Sequence, residues 1–404
     1  MKTLGYFTVV AMVIMALAQA GAAQDLTRVP LEQVQKGAQL GSPVAQVELA
    51  NRYLDGNGVL QNYAKAAQWY EKAAEQGDPT AENGLGKLYH AGFGVTRDVP
   101  MALHWLSQAA SAGTAQFLFD YASVLETPEG GAAFAEAAEY YRRAAEAGHL
   151  EASVSLAVLF QNGTGVPQDL DQARVLYEAA AQVAHPRALN NLGLLYVRGD
   201  GIAQNYDHAA QLFAQAAELG LSVAMTNLGV MYENGFGVPL DEEKAAALYR
   251  LASSGNADEN GPSFFYDARL SPLDSGAEAM TQTQKSSEAG DPVAQFQLGW
   301  ALATQAEGTF QNMREAARLF AQAADAGHGP AMANLSVMYF KGQGLPQDYM
   351  LGHMWLLLAN RAGVDTQTIS AAYGAKVTAD QVNAAQDRAL LLFNAPALPE
   401  SKTD

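Results

Sequence analysis

Apolar positions along the chain follow two alternating helical patterns. In the first, Ala45, Leu49, Ala50 and Tyr53 fall at i, i+4, i+5 and i+8, which places them on one face of a helix. That face returns as Ala188, Leu192, Gly193 and Tyr196, as Ala224, Leu228, Gly229 and Tyr232, and as Ala331, Leu335, Ser336 and Tyr339. The second pattern runs Ala66, Ala67, Tyr70, Ala73, Ala74 and closes on Gly77. It recurs as Ala209, Ala210, Phe213, Ala216, Ala217, Gly220 and as Ala316, Ala317, Phe320, Ala323, Ala324, Gly327. An A helix and a B helix therefore recur as a pair. Small residues at the contact positions bring helix axes toward the short end of the usual range of about 8–10 Å, and one aromatic fills the groove between them.

The ends of these helices carry their own signals. Ser42-Pro43, Asp78-Pro79 and Asp291-Pro292 set an oxygen-bearing cap before a proline at the first helical position. Asn62, Asp98, Asp169, Asn205, Asp241 and Asp348 stand at the starts of B helices, where a side-chain oxygen accepts the orphan amides. Six A helices end at a pair of glycines one residue apart: Gly56 and Gly58, Gly92 and Gly94, Gly163 and Gly165, Gly199 and Gly201, Gly235 and Gly237, Gly342 and Gly344. The second glycines are separated by 36, 71, 36, 36 and 107 residues, so the stride is close to 36 with some pairs lost.

Alignment on that stride gives nine repeats over 42–363, at 42–77, 78–113, 114–148, 149–184, 185–220, 221–256, 257–290, 291–327 and 328–363. The repeats at 114–148, 257–290 and 291–327 are degenerate. In the seventh, the stretch from Glu259 to Tyr266 contains Gly261 and Pro262 and is followed by Pro272, which disfavours a long regular helix. Residues 24–41 form an N-terminal capping helix. Residues 364–395 form a C-terminal one, opened by the capping box Thr378-Ala379-Asp380-Gln381 and turning a polar outer face to solvent. The tail 396–404 is expected to be disordered.

Lys2, the apolar run Phe7 to Ala18 and the small residues Ala20 to Ala23 read as a signal peptide over 1–23. Retention of Leu4 to Ala23 as an anchor is the competing reading. Export places the mature chain in the periplasm or outside the cell, with no stable membrane insertion once the signal is removed. With no cysteine, it must hold together by packing alone and carries no lipidated cysteine. Acidic residues outnumber basic ones 42 to 24, for a formal net charge of −18. That field disfavours nucleic acid and anionic lipid, and favours encounter with a basic protein or peptide.

The run Ala188, Asn191-Leu192-Gly193, Tyr196, Gly199, Gly201-Ile202, Asn205, Ala209, Phe213, Ala216-Ala217 and Gly220 resembles the Sel-one-like repeats, relatives of the tetratricopeptide repeats. The resemblance spans about 42 to 363. It implies an all-α fold, a right-handed superhelical solenoid of antiparallel helix pairs with A helices on the concave side. It further implies a non-enzymatic adaptor, acting in envelope signalling, exopolysaccharide regulation or secretion. An accessory protein or hydrolase of cell-wall peptidoglycan or glycan is the alternative.

Chemistry of other kinds finds no foothold. His149, His185 and His328 all stand just after a repeat ends, which suits capping. No histidine pair has the i, i+4 spacing of a helical metal site. No glycine pair continues into Gly-Lys-Ser/Thr, and no Gly-x-Ser-x-Gly elbow occurs. No catalytic residue, cofactor or metal is expected. Trp69, Trp105 and Trp355 share one B-helix position and are expected in the core.

Two features remain as candidate partner-binding residues. Asn191, Asn227 and Asn334 each precede the leucine of an A helix, and such a ladder could bond the backbone of an extended peptide or simply brace its own repeat. Phe264, Phe265 and Tyr266, in the irregular seventh repeat, read either as an exposed aromatic anchor or as a cluster tucked into the stack.

Overall fold

The structure, a computed structural model, describes residues 26–254, 264–273, 276–305 and 309–394. The expected signal peptide, the tail 396–404 and the Glu259 to Ser263 part of the seventh repeat lie outside the described residues. Among those described there are 20 α-helices, two 3-10 turns and no strand. The fold is all-α, built of helix pairs in which the two helices of a repeat pack on each other and, within each unit, most pack on the next repeat.

The chain divides into two compact units, one of residues 1–97 with 264–404, the other of residues 98–263. Unit 1 begins with α1 (Leu31–Gln39), α2 (Pro43–Asp55), α3 (Tyr63–Ala74) and α4 (Pro79–Ala91). Unit 2 comprises α5 (Val99–Ser111), α6 (Ala115–Leu125), α7 (Phe134–Glu146), α8 (Leu150–Asn162), α9 (Leu170–Gln182), α10 (Pro186–Arg198), α11 (Tyr206–Glu218), α12 (Ser222–Asn234) and α13 (Glu242–Ser254). Unit 1 resumes with α14 (Ala277–Glu288), α15 (Pro292–Ala303), α16 (Phe310–Asp325), α17 (Gly329–Lys341), α18 (Tyr349–Arg361), α19 (Gln367–Tyr373) and α20 (Ala379–Asn394).

The capping chemistry is in place at helix after helix. The Asp78 carboxylate accepts from Thr80 and Ala81, and Asn62, Asp98, Asp169, Asn205, Asp241 and Asp348 each accept the amide three residues on. Each such cap is worth ~1 kcal/mol. At the far end, Gly92 closes α4 at φ +75° and donates to Leu88 O.

The second glycine of each pair has a different task. A Cβ on Gly94 would stand 2.2–2.5 Å from the backbone of Tyr63 and Ala64, the first turn of the preceding B helix α3. Gly237 meets Tyr206 and Asp207 in the same way, and Gly344 meets Met313 and Arg314. Gly58, in the first repeat, has no preceding repeat beneath it, and nothing lies within 4 Å. The stride of 36 thus marks the contact of one repeat with the next.

Within a repeat, the B-helix aromatic lies against the small residue of the A helix. A Cβ on Gly193 would come 2.7 Å from Phe213, and one on Gly229 2.6 Å from Tyr249. Phe213, Tyr177, Tyr141 and Phe320 are fully buried in these positions. Tryptophan departs from expectation: Trp355 is buried, but Trp69 and Trp105 are half-buried, and Lys72 Nζ sits 4.0 Å over the Trp69 ring. The flat ring covers the helix edge while its far side meets solvent or a lysine stem.

The C-terminal region differs from a plain cap. Residues 364–395 carry the short helix α19 and a 3-10 turn as well as α20. Thr378 and Gln381 form the expected capping box, with bonds of 3.0 and 3.3 Å. Helix α20 exposes Asp380, Asp387 and Arg388, but two of its polar side chains, Asn383 and Gln386, turn to other segments of the chain. It packs on α18 and also on α3, and Gln386, 2% exposed, accepts from the Tyr63 amide at 2.8 Å. Asn383 accepts from Gly94 N at 2.7 Å and donates to Gly92 O at 2.9 Å. These bonds satisfy a helix-start amide and two loop groups of the first two repeats. Leu60 joins the same core as Phe320, Leu358 and Ala385.

Candidate functional site

The ladder asparagines all stand six residues beyond their helix cap, Asn191 after His185, Asn227 after Leu221 and Asn334 after His328. The structure gives them different surroundings. In unit 2, Asn227 donates to Asn190 Oδ1 at 2.8 Å, Asn190 donates to Asn191 Oδ1 at 3.2 Å, and Asn191 reaches Tyr177 Oη at 3.4 Å. Asn191 and Asn227 are half-buried, and this side-chain chain links successive A helices.

Asn334, in unit 1, is fully buried and grips backbone. Its Oδ1 accepts from the Phe265 amide at 2.7 Å and its Nδ2 donates to the Phe265 carbonyl at 2.9 Å. The described stretch 264–267 is neither helix nor strand, and Phe264 and Tyr266 pack on the core that α15, α16 and α17 share. One amide side chain holds both backbone groups of one residue, as an extended peptide is held by a complementary edge.

The neighbouring repeat adds a second hold at the same register. Gln297, six residues after the cap Asp291, donates to Tyr266 Oη at 3.0 Å and to Ser271 O at 3.2 Å. The sequence pattern missed it because the residue is glutamine, although counting from the cap would have found it.

The side chains of the stretch are seated as well. Phe264 tilts against Phe320 at 6.1 Å, and Tyr266 lies 5.8 Å from Phe296 and edge-on to Trp300 at 4.8 Å. Phe265 packs on the core around Phe340. All three aromatics are half-buried, tucked against the repeats and not held out as a free anchor. Asp267, 4% exposed, accepts twice from the Arg269 guanidinium, at 2.8 Å each, and once from the Arg269 amide at 3.0 Å, and its Oδ2 lies 3.5 Å from His328 Nε2. The Arg269 guanidinium holds this carboxyl below its ordinary range.

The histidines at repeat boundaries are caps. Nδ1 of His149, His185 and His328 accepts from Ala152, Ala188 and Ala331. An accepting Nδ1 assigns the proton to Nε2, hence the neutral ring. Burial pushes all three below the ordinary histidine value. Among the described residues, no cluster of three or more His, Asp or Glu could hold a metal, and no helix is long and apolar enough to cross a membrane.

A comparable hold exists at the start of unit 1. Arg52, buried and paired with Glu48 at 2.7 Å, donates to the carbonyls of Leu26, Thr27 and Val29. Glu48 occupies the same register, six residues after Ser42. At two places in unit 1, therefore, A-helix side chains hold a stretch outside the α-helices by its backbone.

The family described as Sel1 repeat matches residues 43–78, 79–114, 132–149, 150–185, 186–221, 222–256, 292–328 and 329–364. A protective antigen of uropathogenic Escherichia coli displaying an SLR fold is 26% identical, with a TM-score of 0.50 over 91% of this chain and 87% of that one. A Sel1 repeat protein from Oxalobacter formigenes is 29% identical, with a TM-score of 0.50 over 58% of this chain and 97% of that one. No curated protein matches the chain.

Proposed function

The chain belongs to the Sel1 repeat family, and from that premise we propose that it is an exported, non-enzymatic scaffold holding a protein or peptide partner on its A-helix faces. Sel1 repeat proteins typically serve as protein-interaction scaffolds. The observation that carries the reading is the ladder position: where it meets a stretch outside the helices, at Asn334, it binds that stretch by its backbone. Asn191 and Asn227 offer the same chemistry on adjacent helices of unit 2, half-buried and bonded to neighbouring side chains that can exchange for a peptide group. The role belongs to envelope signalling, exopolysaccharide regulation or secretion, the signal-like start directing the chain there. The net charge of −18 favours a basic partner on encounter.

The test is chemical crosslinking of the mature chain in envelope extract, beside the Asn191→Ala/Asn227→Ala double variant. A discrete partner captured by the wild type and lost from the folded double variant supports the proposal. Unchanged capture by that variant refutes the ladder as the binding element. Sedimentation of the purified chain with cell-wall sacculi would instead point to a wall-directed role.

A further inference from the structure

The stretch Phe264 to Ser271 has the contacts of a bound peptide. Its backbone is gripped at Phe265 by Asn334, Phe264 and Tyr266 pack on the rings of Phe296, Trp300 and Phe320, and Gln297 bonds to Tyr266 and Ser271. Its carboxylate, Asp267, is buried facing His328. Helices α15 and α17 supply Gln297 and Asn334 from equivalent positions, so the grip is a repeat-based device serving a segment that is itself not a repeat helix.

We infer that the α15–α17 face is a site for an extended peptide of aromatic–aromatic–aromatic–acidic pattern, occupied in cis by residues 264–271, and that a partner bearing this pattern binds by displacing them. The inference rests on the scaffold reading above and deepens it for unit 1. The occupant's chemistry follows from the contacts: ring partners for the first and third aromatics, a bidentate amide for the backbone between them, and a polar end at His328. A basic residue two places after the acid matches Arg269, which neutralises Asp267 before burial. Competition sets the apparent affinity, which falls by the fraction of molecules whose face is open.

The probe is a synthetic peptide with the sequence Phe-Phe-Tyr-Asp-Ala-Arg-Leu-Ser, fluorescently labelled, titrated against the full mature chain and against its Phe264→Ser/Tyr266→Ser variant. The variant, with the cis stretch weakened, should bind at least tenfold more tightly than the wild type, and adding Asn334→Ala should abolish at least tenfold of that gain. Excess unlabelled peptide should also speed hydrogen exchange at the Phe265 amide of the wild type. Equal binding to both proteins, no binding to a folded variant, or an unchanged Phe265 amide would overturn the inference. Loss of the unit 1 unfolding transition in the variant would likewise overturn it, by marking 264–271 as a structural segment. Failure here with Asn191- and Asn227-dependent capture intact removes this site and leaves the scaffold reading standing; failure of that capture as well removes both.

Discussion

Replacing Gly94 and Gly58 by alanine, one at a time, separates two costs that the glycine pair combines. Both residues are left-handed, at φ +71° and +72°, so both variants carry the same backbone penalty of about 1–2 kcal/mol. Gly58 faces open space, whereas a Cβ on Gly94 would lie 2.2 Å from Tyr63 C, 2.3 Å from Ala64 N and 2.5 Å from Tyr63 O. These are backbone atoms of a helical turn, and no rotamer change moves them. The loop must lift away from α3, straining the 2.7 Å bond from Gly94 N to Asn383. Overpacking of this kind costs roughly 1–3 kcal/mol beyond the backbone term. Gly94→Ala should therefore melt below Gly58→Ala, by about 2–4 °C per kcal/mol for a unit of this size. Thermal and urea unfolding followed by helical ellipticity give the comparison. Equal shifts for the two variants would refute the argument that the second glycine exists for the contact between repeats.

Asn334→Ala leaves the Phe265 amide and carbonyl without their partners, at about 1–3 kcal/mol for each buried group, while Asn191→Ala loses side-chain bonds only and should cost less than about 1 kcal/mol; urea midpoints of the two variants give the ranking, and equal midpoints refute it. His353 is half-buried with both ring nitrogens enclosed and without a hydrogen-bond partner, and desolvation lowers its pKa to about 4. The unfolded chain then binds the proton first, so stability is complete above pH ~6.5 and falls as pH drops toward 4, by about 3 kcal/mol in all. His353→Gln should flatten that part of the stability profile, read from urea unfolding at stepped pH, and an unchanged slope counts against the assignment. Asn383→Ala should raise hydrogen exchange at Gly94 by about tenfold for each 1.4 kcal/mol lost, with amides in α10 unchanged as the internal control.

The helix pairs, their caps and the histidines at repeat starts were legible because each rests on local chemistry. Asp78 or His185 caps the helix that follows it within three residues, and the small–aromatic pairing of Gly193 with Phe213 repeats along the chain. The residues holding distant segments were not. Nothing in the sequence near Asn383 or Gln386 points to Gly94 or Tyr63, some three hundred residues away. Gln297 departs from the asparagine pattern of the ladder, although glutamine supplies the same amide one methylene further out. For Asn334, bracing and peptide binding were both open in the sequence, and the structure gives it a backbone to hold within its own chain.

Helix-pair arrays ordinarily lengthen or shorten freely, because a gained or lost module leaves its neighbours' contacts as they were. The bonds of α20 to Tyr63, Gly92 and Gly94 remove that freedom from this chain. A duplicated module between 292 and 364 would carry α20 one helix pair away from those groups, stranding Gln386 and uncovering the apolar side of Leu60. Copy number in this part of the molecule is a geometric constant, and variation among its descendants should appear as loop and surface change, with the module tally preserved.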